Sequence, residues 1–121
     1  MKLSKAEEEL MNHLWELEKA IMKDLIDAYD EPKPAKTTIA TLLKRMQGKG
    51  VIDYKQVGRS REYFPLVEKK DYFSKQVNGL IKNFFNNSAT QFASFFTKET
   101  DLSKSELEDL RKIIDSEIKK K

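Results

Sequence analysis

Few side chains in this sequence are able to make or break bonds. There is one histidine, His13, and no cysteine. That excludes a disulfide framework, a thiol nucleophile and Cys-ligated zinc together. His13 falls in a helical stretch with apolar neighbours. A lone His among scattered carboxylates has no metal-ligand spacing. Glu7-Glu8-Glu9 reads as a solvated helix face, and no Gly-rich phosphate loop occurs. No catalytic residue, metal or cofactor is expected, and the chain is read as not an enzyme. The remaining chemistry is that of cations and short hydroxyls. Lys36, Thr37, Thr38, Thr41, Lys44 and Arg45 lie on one helical stretch, and Arg59 and Arg61 follow on a turn. Such a set suits phosphates and base edges.

The charge distribution points the same way. The 121 residues carry a net +3, which by itself is unremarkable. Residues 1–31 hold four Lys against nine acids, a net of −5, and residues 62–121 come to +1. Residues 32–61 hold eight Lys and Arg against Asp53 alone, a net of +7. A focused basic patch attracts a polyanion whatever the total charge.

The elements that must position these residues follow from periodicity. Ser4-Lys5-Ala6-Glu7 is a capping box, and Leu10, Leu14 and Leu17 continue it as an apolar stripe to about Lys19. Trp15 is a core residue. A short second helix buries Ile21, Leu25, Ile26 and Tyr29 before Pro32 and Pro34 break it. A third helix runs over 36–49 with Ile39, Leu42, Leu43 and Met46 inward. The period then changes to two. Residues 51–57 form a strand, Gly58-Arg59-Ser60-Arg61 a turn, and 62–66 the returning strand, with Pro65 suited to an edge. Residues 68–121 read as three helices, the last capped by Ser103 and Glu106. The expected class is mainly α with a small β-hairpin. A winged helix-turn-helix domain over 1–67 precedes a three-helix dimerisation region over 68–121.

In that order the third helix is a recognition helix for the major groove, and the hairpin over 51–66 is a wing. Thr37, Thr38 and Thr41 are expected to read base edges, Lys36, Lys44 and Arg45 to anchor phosphates, and Arg59 and Arg61 to meet DNA from the wing tip. Plainer readings stand beside these. Thr37 and Thr38 would simply cap the helix, Lys44 would be a solvated residue, and Arg59 and Arg61 would blunt an edge strand. The distal region carries more apolar side chains than three helices can bury. Phe73, Val77, Leu80, Phe84, Phe92, Phe95, Phe96, Leu110 and Ile114 are expected to meet a second copy across a two-fold interface. The competing expectation is a winged-helix protein-interaction module that does not bind DNA.

The combined spacing resembles the penicillinase-repressor family, the BlaI/MecI type. It rests on Leu3-Ser4-Lys5-Ala6-Glu7 with Leu14-Trp15, on Thr37 through Met46, on Lys49-Gly50-Val51-Ile52, on Arg61 through Leu66, and on Asp101-Leu102-Ser103 with Glu106-Leu107 and Leu110. The resemblance implies a homodimeric transcriptional repressor on a palindromic duplex-DNA operator, with readers at Thr37, Thr38 and Thr41 and the family's late-helix Arg at Arg45. Two departures stand out. Ala40 replaces a basic residue that relatives often carry. Resistance-type relatives are cut at Asn-Phe by a membrane sensor protease, but the matching bond here is Phe95-Phe96, so that partner is unsupported. The copper-responsive branch carries a Cys cluster that this chain lacks. With no signal-like N-terminus and no apolar run near the ~18 residues a span needs, the chain is read as cytoplasmic without membrane insertion.

Overall fold

The computed structural model describes residues 2–121. Helices α1 (Lys5–Leu17), α2 (Met22–Asp27) and α3 (Lys36–Gly48) precede an antiparallel hairpin of β1 (Ile52–Val57) and β2 (Ser60–Pro65). Helices α4 (Lys69–Phe84), α5 (Ala89–Glu99) and α6 (Lys104–Lys120) follow. This is the expected class, a winged helix-turn-helix followed by three helices. The chain forms two compact units, Met1–Gln76 and Val77–Lys121.

In the first unit, Leu10, Met11 and Leu14 of α1, Leu25 of α2, Ile39, Leu43 and Met46 of α3, and Ile52 of β1 are all buried in one cluster. Each such side chain contributes about 1.5–3 kcal/mol relative to exposure. The stripe of α1 ends sooner than its spacing suggested. Leu17 is exposed, because the chain leaves the helix at Glu18, which takes φ 69.

The wing turn is tighter than expected. Val57 pairs with Ser60 and Gln56 with Arg61, leaving only Gly58-Arg59 as the loop. Gly58 adopts φ 61, and a glycine at the first central position is what type II′ hairpins favour. Arg59 is therefore at the tip, whereas Arg61 already lies in β2. Gly, Arg and Ser all resemble turn residues, so composition alone puts both at the tip. The outer edge of β2 is also engaged. Ala20 N donates to Tyr63 O at 2.9 Å and Tyr63 N to Ala20 O at 2.8 Å. This bridge docks the hairpin on the segment between α1 and α2, supplying the packing a lone hairpin lacks.

The start of α4 belongs to the first unit. Tyr72 is buried, and its hydroxyl accepts from Leu3 N at 3.0 Å and donates to Glu8 Oε2 at 2.9 Å. Phe73 packs on Trp15 and Tyr72, and Trp15 Nε1 donates to the Val67 carbonyl at 2.9 Å. The expected boundary after residue 67 falls just before α4, while the compact unit runs on to Gln76.

The second unit is built differently. Helix α4 is followed by Asn86 and Asn87, both at positive φ, a conformation Asn tolerates. Ser88 caps α5, and Ser103 with Glu106 forms a complete capping box on α6. Phe85 packs on Phe92 and Phe95, and Phe92 stacks on Phe96. Yet none of residues 77–121 is buried. Phe84 is 75 % exposed and Ile118 64 %.

One charged residue lies inside the first unit. Glu7 is fully buried. Its Oε1 accepts from Ser4 N at 2.7 Å, completing the cap of α1. The same oxygen stands 2.5 Å from Lys49 Nζ at the end of α3. Its Oε2 makes no hydrogen bond, and Arg45 Nε is 3.6 Å away. Burial by itself pushes the carboxyl up. The hydrogen bonds from Lys49 and Ser4, with the Lys49 charge, outweigh it together and bring the value down from 4.5 to about 2. A depressed carboxyl adds stability that is complete above its unfolded value and is lost as pH falls through the folded one. Glu7→Gln is expected to cost about 3 kcal/mol at neutral pH. The gap to the parent should shrink as pH falls from 4.5 to about 2. Urea unfolding of both proteins across that range checks this; parallel stability curves would contradict it.

Candidate nucleic-acid interface

Helix α3 presents three strips, because side chains three and four apart share a face. Ile39, Leu42, Leu43 and Met46 face the core. Lys36, Ala40, Lys44 and Gln47 run along the flank that faces the wing. Thr37 and Thr41 follow the exposed ridge, and Thr38 and Arg45 lie toward the opposite flank.

The wing flank opens into a groove of about 950 Å³ between α2, α3 and the hairpin. Its floor includes Ile21, Met22, Ile26 and Tyr63. Five cations stand around it, namely Lys23, Lys36, Lys44, Arg59 and Arg61, against one acid, Asp27. Arg61 is held in place: its guanidinium lies 4.4 Å from the Tyr54 ring centroid, and Tyr54 packs on Tyr63. Gln56 Nε2 donates to the Gly58 carbonyl at 3.2 Å and braces the turn that carries Arg59.

Thus Lys36, Lys44, Arg59 and Arg61 come together although 25 positions separate the first from the last. Arg45 is set apart from them. Its Nη2 is 3.4 Å from Ser4 Oγ and its Nε 3.6 Å from Glu7 Oε2, with the side chain half exposed. Thr37 and Thr38 do not cap α3, since its N-cap is Ala35 and no side chain bonds there. Thr41 Oγ1 donates to the Thr37 carbonyl at 3.0 Å. Its proton is engaged, and the residue is exposed.

Sequence reasoning missed Lys23 and Tyr54 at this groove. Lys23 lies in the acidic first segment, and Tyr54 reads as an ordinary strand residue; only the packing of hairpin on α2 reveals them. Lys33, counted in the basic segment, turns back instead onto the carbonyls of Asp27 and Tyr29 at the end of α2. His13 packs on Tyr29, with ring centroids 4.5 Å apart. Among the described residues no three of His, Cys, Asp or Glu are grouped to hold a metal ion, and no helix is long and apolar enough to cross a membrane.

The predicted dimer residues divide between the units. Phe73 is part-packed in the first unit against Trp15 and Tyr72. Phe92 and Phe96 are half-buried in the aromatic elbow of α4 and α5. Val77, Leu80, Phe84, Phe95 and Ile114 are exposed, and Leu110 is half-buried.

Comparison with known proteins agrees with this architecture. The profile of the family described as "Penicillinase repressor" matches residues 3–116. The methicillin resistance regulatory protein MecI of Staphylococcus aureus (strain N315) is 32 % identical over 113 residues, 93 % of this chain and 92 % of that protein. The penicillinase repressor of Bacillus licheniformis is 24 % identical over 120 residues, 98 % of this chain and 94 % of that one. The solution structure of the DNA-binding domain of the repressor BlaI superposes with a TM-score of 0.52 at 28 % identity, covering 59 % of this chain and 88 % of that domain. These relatives are a regulatory protein and repressors. With winged-helix order, hairpin and sequence all in agreement, the chain belongs to the penicillinase repressor family.

Proposed function

We propose that this protein is a transcriptional repressor that binds a palindromic operator in duplex DNA as a homodimer. The observation that carries the reading is the convergence of Lys36 and Lys44 from α3 with Arg59 and Arg61 from the wing around one groove. Family membership supports the repressor role. The exposed ridge of α3 enters the major groove, and the wing meets the flanking backbone. Thr37, Thr38 and Thr41 read bases. With its proton engaged by the Thr37 carbonyl, Thr41 offers an acceptor to an adenine or cytosine amino group, or its methyl to a thymine. Lys36, Lys44, Arg59 and Arg61 anchor phosphates. Arg45 reaches the backbone only with the part of its guanidinium that Glu7 and Ser4 leave free.

The second unit supports the dimer, since none of its residues is buried. Exposed apolar faces of this kind mark an interface. A second copy covers Val77, Leu80, Phe84, Phe95 and Ile114, with Leu110 beside them. The same two-fold axis brings two recognition helices to two half-sites.

Three outcomes are expected. Contacts to about 8 phosphates across a dimer give a log affinity against log salt slope of roughly −7; a flat, weak response would favour a protein-interaction module instead. Ala at Thr38 or Thr41 relaxes discrimination among operators, while Gln at Lys44 or Arg59 weakens every duplex alike and lowers the slope by about 1 per lost phosphate contact. Identical profiles from the two kinds of variant would refute the division into readers and anchors. Ile114→Asp shifts the protein from dimer to monomer in sedimentation at micromolar concentration. A parent that is already monomeric there would defeat the dimer.

A further inference from the structure

We propose that Glu7 limits the sequence-independent part of DNA affinity by holding Arg45 and Lys49 back from the phosphate backbone. The inference rests on the DNA-binding reading above. Glu7 sits in the first turn of α1, yet its contacts are at the far end of α3, 42 positions along the chain. Lys49 Nζ is 2.5 Å from Oε1, with the Lys49 side chain 31 % exposed. Arg45 stands on Oε2 and on the Ser4 hydroxyl. The carboxylate itself is out of contact with solvent. Neither water nor a phosphate can reach it to compete for its partners.

The consequence is a sorting of the cations of α3. Lys36 and Lys44 face the wing groove and answer to no acid of their own helix. Arg45 and Lys49 belong to a three-charge cluster in which Glu7 cancels one positive charge. Non-specific affinity for duplex grows with each phosphate neutralised, whereas discrimination comes from base contacts. A cation withheld from the backbone lowers the affinity for every sequence and leaves the readers untouched. The same contact fixes the angle at which α3 leaves the core, because it ties the last turn of that helix to the cap of α1. Glu7 therefore acts through Arg45 and Lys49 and not by touching DNA.

The test uses the full-length protein, a random-sequence duplex and a sodium chloride titration. Glu7→Gln is expected to steepen the log–log slope by about 2 for a dimer, one phosphate gained per protomer, and to raise random-duplex affinity about tenfold at low salt. Glu7→Asp keeps the charge and should return the slope to the parent value even if it lowers stability. An unchanged or shallower slope for Glu7→Gln in a folded protein overturns the proposal. Should that variant not fold, Lys49→Gln decides. A withheld lysine leaves the slope unaltered, whereas Lys44→Gln flattens it by about 2 for the dimer. Equal flattening by both overturns the proposal. A parent protein without salt-dependent binding would instead defeat the DNA-binding reading itself.

Discussion

The first unit depends on a carboxylate placed where carboxylates are rarely found. Removing Glu7 from water works against its charge, and that opposition is the largest single effect on its ionisation. The charge is retained only because Ser4 and Lys49 both donate to Oε1, while Arg45 stands near Oε2. A buried ion is tolerable when its hydrogen bonds are made and intolerable when they are broken. The same oxygen thus completes the cap of α1 and grips the end of α3. The wing inherits that constraint. Lys49 leads into Gly50 at φ 77, then Val51, then the wing. A displaced α3 would move the reading ridge and the hairpin together.

Much of this architecture is legible in the sequence, and the illegible parts share a cause. Ser4 and Glu7 announce a capping box because both partners lie within one turn. Nothing local announces that the same Glu would meet Lys49. The strands of the wing are evident from their period, but composition extends the turn too far. Composition cannot distinguish Ser60 and Arg61 as turn residues from the same residues paired with Val57 and Gln56. The bridge from Ala20 to Tyr63 has no local signal at all, since alanine between two helices reads as a linker. Periodicity fixes what a segment is, while contacts between distant segments decide what its polar residues do.

The two units show the difference between an apolar pattern and a core. In the first, inward positions of α1, α2, α3 and β1 converge and are fully buried. In the second, the stripes of α4 and α6 are just as regular, and both α5 and α6 are properly capped. Even so, Ile113, Ile114 and Ile118 remain in solvent. Regular helices with satisfied caps but open apolar faces are elements awaiting a partner surface, because helical stability in proteins comes mostly from packing. The aromatic elbow of Phe85, Phe92, Phe95 and Phe96 orders the α4–α5 corner and leaves the wider faces open.

The net charge of a segment is a poor count of the charge it offers a ligand. Of the eight cations between residues 32 and 61, four line the wing groove: Lys36, Lys44, Arg59 and Arg61. Lys33 satisfies the carbonyls that end α2, a favourable place for a cation against the helix dipole. Arg45 and Lys49 answer to Glu7. Lys55 stands across the hairpin from Glu62. Three of the eight, Lys33, Arg45 and Lys49, therefore serve the fold itself. For a protein proposed to bind duplex DNA, that division sets the sequence-independent part of its affinity, since each further free cation would strengthen binding to every sequence alike. The acid that enforces the division lies in the first, negatively charged segment of the chain. The electrostatics of the recognition helix are thus set partly by a residue that a reading of that helix alone would not include.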